Sequence, residues 1–386
     1  MKIFETEILI IGGGPAGSTA SLYLSQLGFN IILIEKKSFP RETLCGEFLS
    51  TEVVRILNQL NIFNDFIALK PNKIDSFRAI DDSGIELKTE LGFDAYAIKR
   101  SAFDSLLLEK AKHSDVKVIQ PAEVISTIKT GLDFVSKVKE DSGQIIQIKS
   151  KLVIAAYGKQ NILDKNFGRD FINKKSNLNG VKFHIPIELL ESVFKNEIRI
   201  YVDEELYCGM NQVNDNYTTV CFLENRQHSK IPSRERLIDV IKSNKQFQKV
   251  FSNEAVDYIK SANIYGTGNI YFGKRKVVEN GIIMLGDAAS VISPLAGDGI
   301  GMAMESAKVF YEIMNEFELN KNNFAKINII YKKRYEEIFR NRLNTAKIIQ
   351  GIILNGKYRK LGFAIAKKYP SILPLLIKYT RSSKIA

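Results

Sequence analysis

The 386-residue chain has no tryptophan, only three cysteines and only three histidines. Cys45, Cys208 and Cys221 are an odd, scattered set, which excludes a disulfide framework and points to a reducing compartment, the cytoplasm. His113, His184 and His228 lie far apart and share no ligand spacing with the cysteines, so no metal site is expected. No apolar run is long and uncharged enough to span a bilayer. A signal peptide is not expected either, because Glu5 and Glu7 interrupt the N-terminus and Ile8–Ile11 leads straight into glycines. The sequence also shows no Ser/His/Asp set, no paired carboxylates at catalytic spacing and no basic–aromatic array for nucleic acid.

Acidic residues are scarce at one end. From Lys308 onward there are 17 Lys and Arg against 5 Glu and no Asp, which accounts for the whole net charge of +12. After Glu337 there are eleven basic residues and no acidic one, and residues 361–379 alternate apolar and basic groups around two prolines. Such a segment suits an anionic partner: a membrane headgroup layer at the inner face, an acidic carrier protein or a diphosphate substrate. A solvated helical face has the same pattern.

Glu7–Ile11 reads as a short buried parallel strand ended by glycines, Pro15–Leu27 as a helix stopped by Gly28, and Asn30–Ile34 as a second buried strand. Together they form one βαβ unit. Residues 101–112 form an amphipathic helix with Ser101 as its N-cap candidate. Strands are expected at 116–119 and 123–129, a hairpin at 133–139 and 144–149 turning at Asp141–Gly143, and a further buried strand at 151–156. From about 171 to 263 short alternating strands take over (Ile198–Val202, Tyr217–Leu223), with one helix near Arg234–Ser243; residues 72–96 add strands to that unit. Gly281–Leu285 is again a buried strand and Gly299–Phe317 a helix. The remainder is helical, broken at Gly351, Gly356, Pro370 and Pro374.

Two glycine clusters carry the chemistry. Gly12-Gly13-Gly14-Pro15-Ala16-Gly17, between strand and helix, fits GxGxxG. Gly12 permits a tight turn, Gly14 a close approach of backbone to a pyrophosphate, and Gly17 close helix–strand packing. Pro15 and Ala16 open a helix whose free N–H groups and positive end suit phosphates. Glu35 ends the second strand, placed to accept ribose hydroxyls, with Lys36 beside it. A carboxylate there favours FAD or NAD over NADP, whose 2′-phosphate it repels. The second cluster, residues 281–306, reads GIIMLGDAASVISPLAGDGIGMAMES. A strand ends at Gly286-Asp287, a loop with Pro294 and Gly297 follows, and a helix starts at Gly299-Ile300-Gly301. Asp287 is placed for ribityl hydroxyls, and the helix start for the flavin edge where negative charge collects on reduction. The two clusters together select non-covalent FAD over NAD.

The second cluster resembles the Gly-Asp motif of the para-hydroxybenzoate hydroxylase and geranylgeranyl reductase families, and SPLAGDGIGMAMES is most similar to the reductases. Phe39-Pro40-Arg41, followed by Cys45-Gly46-Glu47-Phe48-Leu49-Ser50, resembles the segment that these families run beneath the flavin. The CGEFLS form looks like a bacterial branch of FAD oxidoreductases tied to polyketide-type or lipid pathways. The resemblance implies cofactor contacts at Arg41, Cys45 and Gly46; the plain alternative for Cys45 is a small buried filler. It further implies an arginine near the FAD phosphates or ribityl chain at Arg100, unless Arg100 caps its own helix, and a backbone contact to adenine at Val124.

Two departures stand out. Aromatic hydroxylases carry Asp-Gly after the strand corresponding to 151–156, for pyrophosphate and NADPH handling. Here Tyr157-Gly158 keeps the turn and loses the acid, so the reductant is NADPH or a separate electron carrier. The tryptophan-bearing signatures of tryptophan halogenases and archaeal geranylgeranyl reductases have no counterpart. Tyr207-Cys208-Gly209-Met210-Asn211 takes roughly the latter's place, as a substrate-facing strand or an ordinary alternating one. Tyr207 and Cys45 are thus the candidates nearest flavin and substrate.

The expected fold is α/β. A glutathione-reductase-like FAD-binding domain (1–70, 97–170, 264–317) carries an inserted β-rich substrate domain (71–96, 171–263) and a basic C-terminal helical segment (318–386). The resemblance implies hydride transfer through flavin N5 to or from a double bond of a hydrophobic lipid, isoprenoid or polyketide-type molecule. The same scaffold serves monooxygenases using a flavin C4a-peroxide, phenol-type halogenases and non-catalytic flavin-binding proteins.

Overall fold

Ile8–Ile11 and Ile31–Ile34 are apolar at every position, so they must sit inside a sheet covered on both faces. They do so in a computed structural model that describes residues 2–382 except 193, 228–229, 274 and 321–322. Strand Ile3–Ile11 is central, with Ile31–Ile34 parallel on one side and Ile145–Ala155 parallel on the other. Val116–Ile119 extends the sheet beyond Ile31–Ile34, and Ile282–Met284 beyond Ile145–Ala155. The ribbon Ala122–Thr130 and Asp133–Glu140 pairs with the first half of Ile145–Ala155. The hairpin arm and the buried strand expected separately at 144–149 and 151–156 are therefore one strand, whose first half pairs with the ribbon and whose second half lies in the core.

The second sheet orders its strands Tyr265–Thr267, Leu178–Pro186, Tyr217–Asn225, Leu206–Gln212, Glu197–Asp203, Asn72–Ile80, Glu86–Ala97 and Phe48–Leu49. Its strands alternate, so each face has its own set of side chains. Phe183, Ile185, Cys208, Met210, Val220 and Phe222 pack against Leu237, Phe247 and Ile259 of three helices. Sequence patterning finds only the first of those helices. The third, Asn253–Ser261, carries a legible cap, since Ser252 Oγ accepts from Ala255 N at 3.0 Å. The opposite face presents Tyr207, Leu223, Ile200 and Val202 to Ile270, Val291 and Leu295, on the side of the second glycine cluster.

Helix Arg100–Lys112 begins one residue earlier than its sequence implies, and Ser101 is not its cap. The Ser101 hydroxyl donates to Glu42 (3.0 Å), while Glu47 Oε1 accepts from Arg100 N (2.8 Å). A carboxylate brought in by tertiary structure thus takes the capping role.

The C-terminal segment straps across both sheets. Helix Phe324–Ile353 packs on Gly299–Glu316 through an aromatic ladder of Phe310, Tyr331, Tyr335 and Phe339. Gly351 lies inside this helix and does not break it. The break falls at residues 354–355, where Asn355 accepts from Tyr358 N to cap Gly356–Lys368. Pro370 sits in the next gap, but Pro374 falls in the first turn of Ile372–Tyr379, where a missing N–H costs nothing. Three of the basic residues turn inward. Arg359 reaches Asp82 and the Asp203 carbonyl, and Arg381 the Ala296 carbonyl. Arg342 binds Asp298 and Glu305. Among the described residues, no helix is long and apolar enough to cross a membrane.

Arg342 is 2% exposed, so truncating it leaves Glu305 and Asp298 without their closest counter-charge and removes a second cation from Glu52. Arg342→Ala should lower the unfolding free energy by about 3–5 kcal/mol, read from the urea midpoint. Arg342→Lys should restore only part, since Arg342 reaches Asp298 from one guanidinium nitrogen and Glu305 from the other, and the single nitrogen of an ammonium lacks that planar spread.

Candidate active site

The first glycine cluster is fixed by contacts that exclude a side chain. Gly12 has φ +106°, and a Cβ there would lie 2.5 Å from the Ala156 carbonyl; at Gly17 it would lie 1.8 Å from the Gly12 carbonyl. Gly14 differs, because its nearest neighbour is the end of the Arg41 side chain, 3.5 Å away. Pro15 opens helix Pro15–Ser25, Ala16 is buried beside it, and no side chain caps the helix. Glu35 accepts from Gly13 N (2.7 Å) and Lys37 N (2.8 Å), so it locks the glycine loop from below. Arg41 lies 3.8 Å from Glu35 and 3.6 Å from Asp104, over the Phe39 ring, with its buried Nε unpartnered. A guanidinium held by its carboxylates only at long range, with its Nη2 end at an open glycine beside an uncapped helix start, fits a diphosphate.

The second cluster meets the first directly. Gly286, at φ +57°, packs so that a Cβ would sit 3.0 Å from the Ala16 Cβ. Two buried arginines, not singled out by sequence, hold the turns around it. Arg275 donates to the Asp287 and Lys159 carbonyls (3.0 and 2.8 Å), and Arg169 to the Ala288 carbonyl (2.8 Å). Arg169 also pairs with Asp164, which accepts from the Tyr157 hydroxyl at 2.6 Å. The tyrosine that replaces the acid of Asp-Gly is thereby tied into this cluster. Gly158, at φ +89°, has open space where a Cβ would point, with no described atom within 4 Å.

The Pro294–Gly301 stretch closes against the CGEFLS segment. Gly297, at φ +59°, would place a Cβ 3.2 Å from Phe48. A Cβ on Gly301 would lie 2.4 Å from Asp298 Oδ1 and 2.8 Å from Ser50 Oγ. Gly299 is less tightly enclosed, and the Ile300 side chain is core, packed near Leu49 and Val53. No side chain caps helix Gly299–Glu316. Asp298, Glu52 and Glu305 surround Arg342 and Arg381, and Ser382 N donates to Glu52. Burial, with Glu52 and Glu305 adding to it, pushes Asp298 up to about 7 against the pull of the two arginines.

Glu47 ties that segment to the second sheet. It is fully buried at φ +59° and accepts from Arg100 N, Lys182 Nζ (2.7 Å), His184 Nε2 (2.6 Å) and Thr219 Oγ1 (2.5 Å). Burial alone would raise its pKa; the His184 hydrogen bond and the Lys182 charge outweigh it and bring it down to about 2. Glu42, Glu47 and His184 come within 4.8 Å, as metal ligands would. Lys182 Nζ, 2.6 Å from Glu42 and 2.7 Å from Glu47, already supplies the cation. Sequence reasoning missed this group because Lys182 and His184 alternate with Val181, Phe183 and Ile185, the pattern of an ordinary wetted face. His113 is remote, bonded to the Glu109 carbonyl, and His228 lies outside the described residues.

The remaining candidates divide. Cys45 lies at the seam, its Sγ accepting from Glu47 N at 3.3 Å, and Gly46 has open space beside it. Arg100 forks onto Asp104 (2.6 and 2.8 Å) of its own helix and also interacts with Cys45. Lys36 is exposed and pairs with Glu123. Val124 is buried in the first core and paired with Val138. Tyr207 is 3% exposed, its hydroxyl against Ser293 and the Leu295 backbone without completing a hydrogen bond; Ser293 Oγ is likewise unpartnered. A groove of about 610 Å³ lies elsewhere, lined by Glu204, Arg236, Asp239 and Asn355, and contains none of these residues.

A dinucleotide cradle and a second glycine motif packed onto it define an FAD-dependent enzyme. The chain belongs to the FAD binding domain family, which matches residues 5–317. It is 24% identical to the 1H-pyrrole-2-carbonyl-[peptidyl-carrier protein] chlorinase of Pseudomonas fluorescens, over 92% of this chain and 91% of that one. It is 26% identical to the digeranylgeranylglycerophospholipid reductase of Methanosarcina acetivorans, over 91% of this chain and 85% of that one. A flavoprotein/dehydrogenase from Cytophaga hutchinsonii shares the fold, with a TM-score of 0.77 and 18% identity over 97% of this chain and 92% of that one.

Gly17→Ala should abolish FAD retention, measured as flavin absorbance per protein after gel filtration, because a methyl group 1.8 Å from the Gly12 carbonyl must push helix and glycine loop apart. Glu47→Gln should destabilise the protein by about 3–5 kcal/mol at neutral pH, since it leaves Glu42 as the one close carboxylate for buried Lys182. The depressed Glu47 carboxyl stabilises the fold above its ordinary 4.5, and that contribution is lost as pH falls toward about 2. The variant's acid-unfolding curve should lack this component.

Proposed function

We propose that the enzyme reduces a carbon–carbon double bond of a hydrophobic lipid, isoprenoid or polyketide-type molecule. The observation that carries this reading is the inner face of the second sheet. Tyr207, Leu223, Ile200 and Val202 meet Val291 and Leu295 in an apolar patch of that face, with the unpartnered hydroxyls of Tyr207 and Ser293 among them, while Lys182, His184 and Thr219 stand further along the same face around Glu47. An apolar patch with few polar groups suits a long hydrophobic substrate. Bound FAD, once reduced, supplies the hydride for one carbon of the double bond. The other carbon needs a proton, and Tyr207 is the group assigned to hold it. Burial pushes its hydroxyl well above the ordinary range, so it stays protonated across physiological pH. The uncapped helix start at Gly299–Gly301 would offer its N–H groups to the edge of a bound flavin where negative charge collects, and the apolar patch would limit access of water. With the Tyr157 hydroxyl held by Asp164 and Arg169, the acid used for NADPH handling has no substitute, which favours a separate electron carrier as reductant.

One observation favours a second reading, an oxygen- and halide-dependent halogenation: the likeness to the pyrrole chlorinase spans 92% of the chain. Dithionite-reduced enzyme, mixed without oxygen with prenylated lipids and polyenes, should give products two mass units heavier, and Tyr207→Phe should slow their formation about 10²-fold or more. No such product across the panel, with oxygen- and halide-dependent products in its place, would move the assignment to the second reading.

A further inference from the structure

We infer that the C-terminal helices form a docking surface for an anionic phospholipid bilayer. Of 17 large hydrophobic side chains that the described residues leave exposed, eight fall between residues 348 and 379. Helix Gly356–Lys368 buries Arg359, Phe363 and Ala366 against the protein. A second apolar stripe runs along its outer side: Tyr358, Leu361 and Ile365, spaced at i, i+3 and i+7, continue to Tyr369. These four are 43–59% exposed. The stripe extends onto the preceding helix through Ile352, whose Cγ2 would lie 3.3 Å from a Cβ on Gly362, and one turn back to Ile348.

Exposed lysines flank the stripe: Lys347, Lys357, Lys360, Lys367 and Lys368. No acidic residue follows Glu337 to neutralise them. This combination decides the occupant. A second copy of the chain would bring five lysines against five more around an apolar contact, with like charges opposed. An anionic bilayer satisfies both sets at once, burying the stripe at the headgroup boundary while the lysines meet lipid phosphates. The face is also rigidly mounted. Arg359 is anchored to Asp82 and the Asp203 carbonyl, while Arg381 and Ser382 are bound to the Ala296 carbonyl and Glu52 beside the flavin-side loop. The helices therefore hold their place with respect to the site whether or not a membrane is present.

The inference does not depend on which reaction the flavin performs, and its test needs no turnover. The purified FAD-loaded protein is floated with vesicles of mixed phosphatidylglycerol and phosphatidylcholine, or of phosphatidylcholine alone. Binding should be about tenfold or more tighter on the anionic vesicles and should weaken as salt is raised from about 0.05 to about 0.5 M. A Leu361→Glu/Ile365→Glu variant should fall to the level of the neutral vesicles while keeping the wild-type flavin spectrum and melting temperature. A Lys360→Gln/Lys367→Gln/Lys368→Gln variant should lose the preference for anionic lipid. Four results would overturn the inference: no flotation with anionic vesicles at low salt, unchanged flotation of the Leu361/Ile365 variant, a dimer in solution that this variant dissociates, or capture by an acidic carrier protein without vesicle binding.

Discussion

The carboxylate of Glu47 is the constraint on which the architecture turns. A glutamate fully buried at positive φ persists only when its surroundings supply enough donors. Here a helix start, a lysine, a histidine and a threonine supply them from three separate elements. The segment between the first glycine cluster and the second sheet is thereby held in one position. Phe48 and Ser50, which follow immediately, are then set against Gly297 and Asp298, so the two glycine motifs and the second sheet share one seam.

The C-terminal segment closes this seam from the other side. Its basic residues have two different tasks. Arg342, Arg359 and Arg381 turn inward, and their guanidiniums hold carboxylates and carbonyls of the second glycine cluster, its helix and the second sheet. The lysines stay outside, beside an apolar stripe that stays exposed among the described residues. The charge asymmetry visible in the sequence is thus partly internal mortar and partly surface, a division that composition could not reveal.

The glycine clusters were legible because each glycine answers to a local requirement. The close contacts of Gly12 and Gly17, and the packing of Gly286 on Ala16, arise between segments that the strand–turn–helix pattern already places side by side. Tyr207 was legible as one of a face, though its unpartnered hydroxyl was not. Arg100 and Lys36 illustrate the limit. Both have the residue type and position of cofactor ligands, and the sequence does not show that their charged ends pair with Asp104 and Glu123.

The sequence by itself determined the βαβ cradle, the two motifs, the alternating second sheet and the helical end, because each rests on periodicity or on a glycine's freedom over a few residues. Only the tertiary structure decided that Glu47 caps a helix more than fifty positions away along the chain, that Lys182 and His184 face inward, and that 145–155 is one strand with two kinds of neighbour. The physical reason is the same in each case. A polar group inside a protein is placed by the partner that satisfies it, and that partner belongs to another element, so no local window of sequence contains both halves of the interaction.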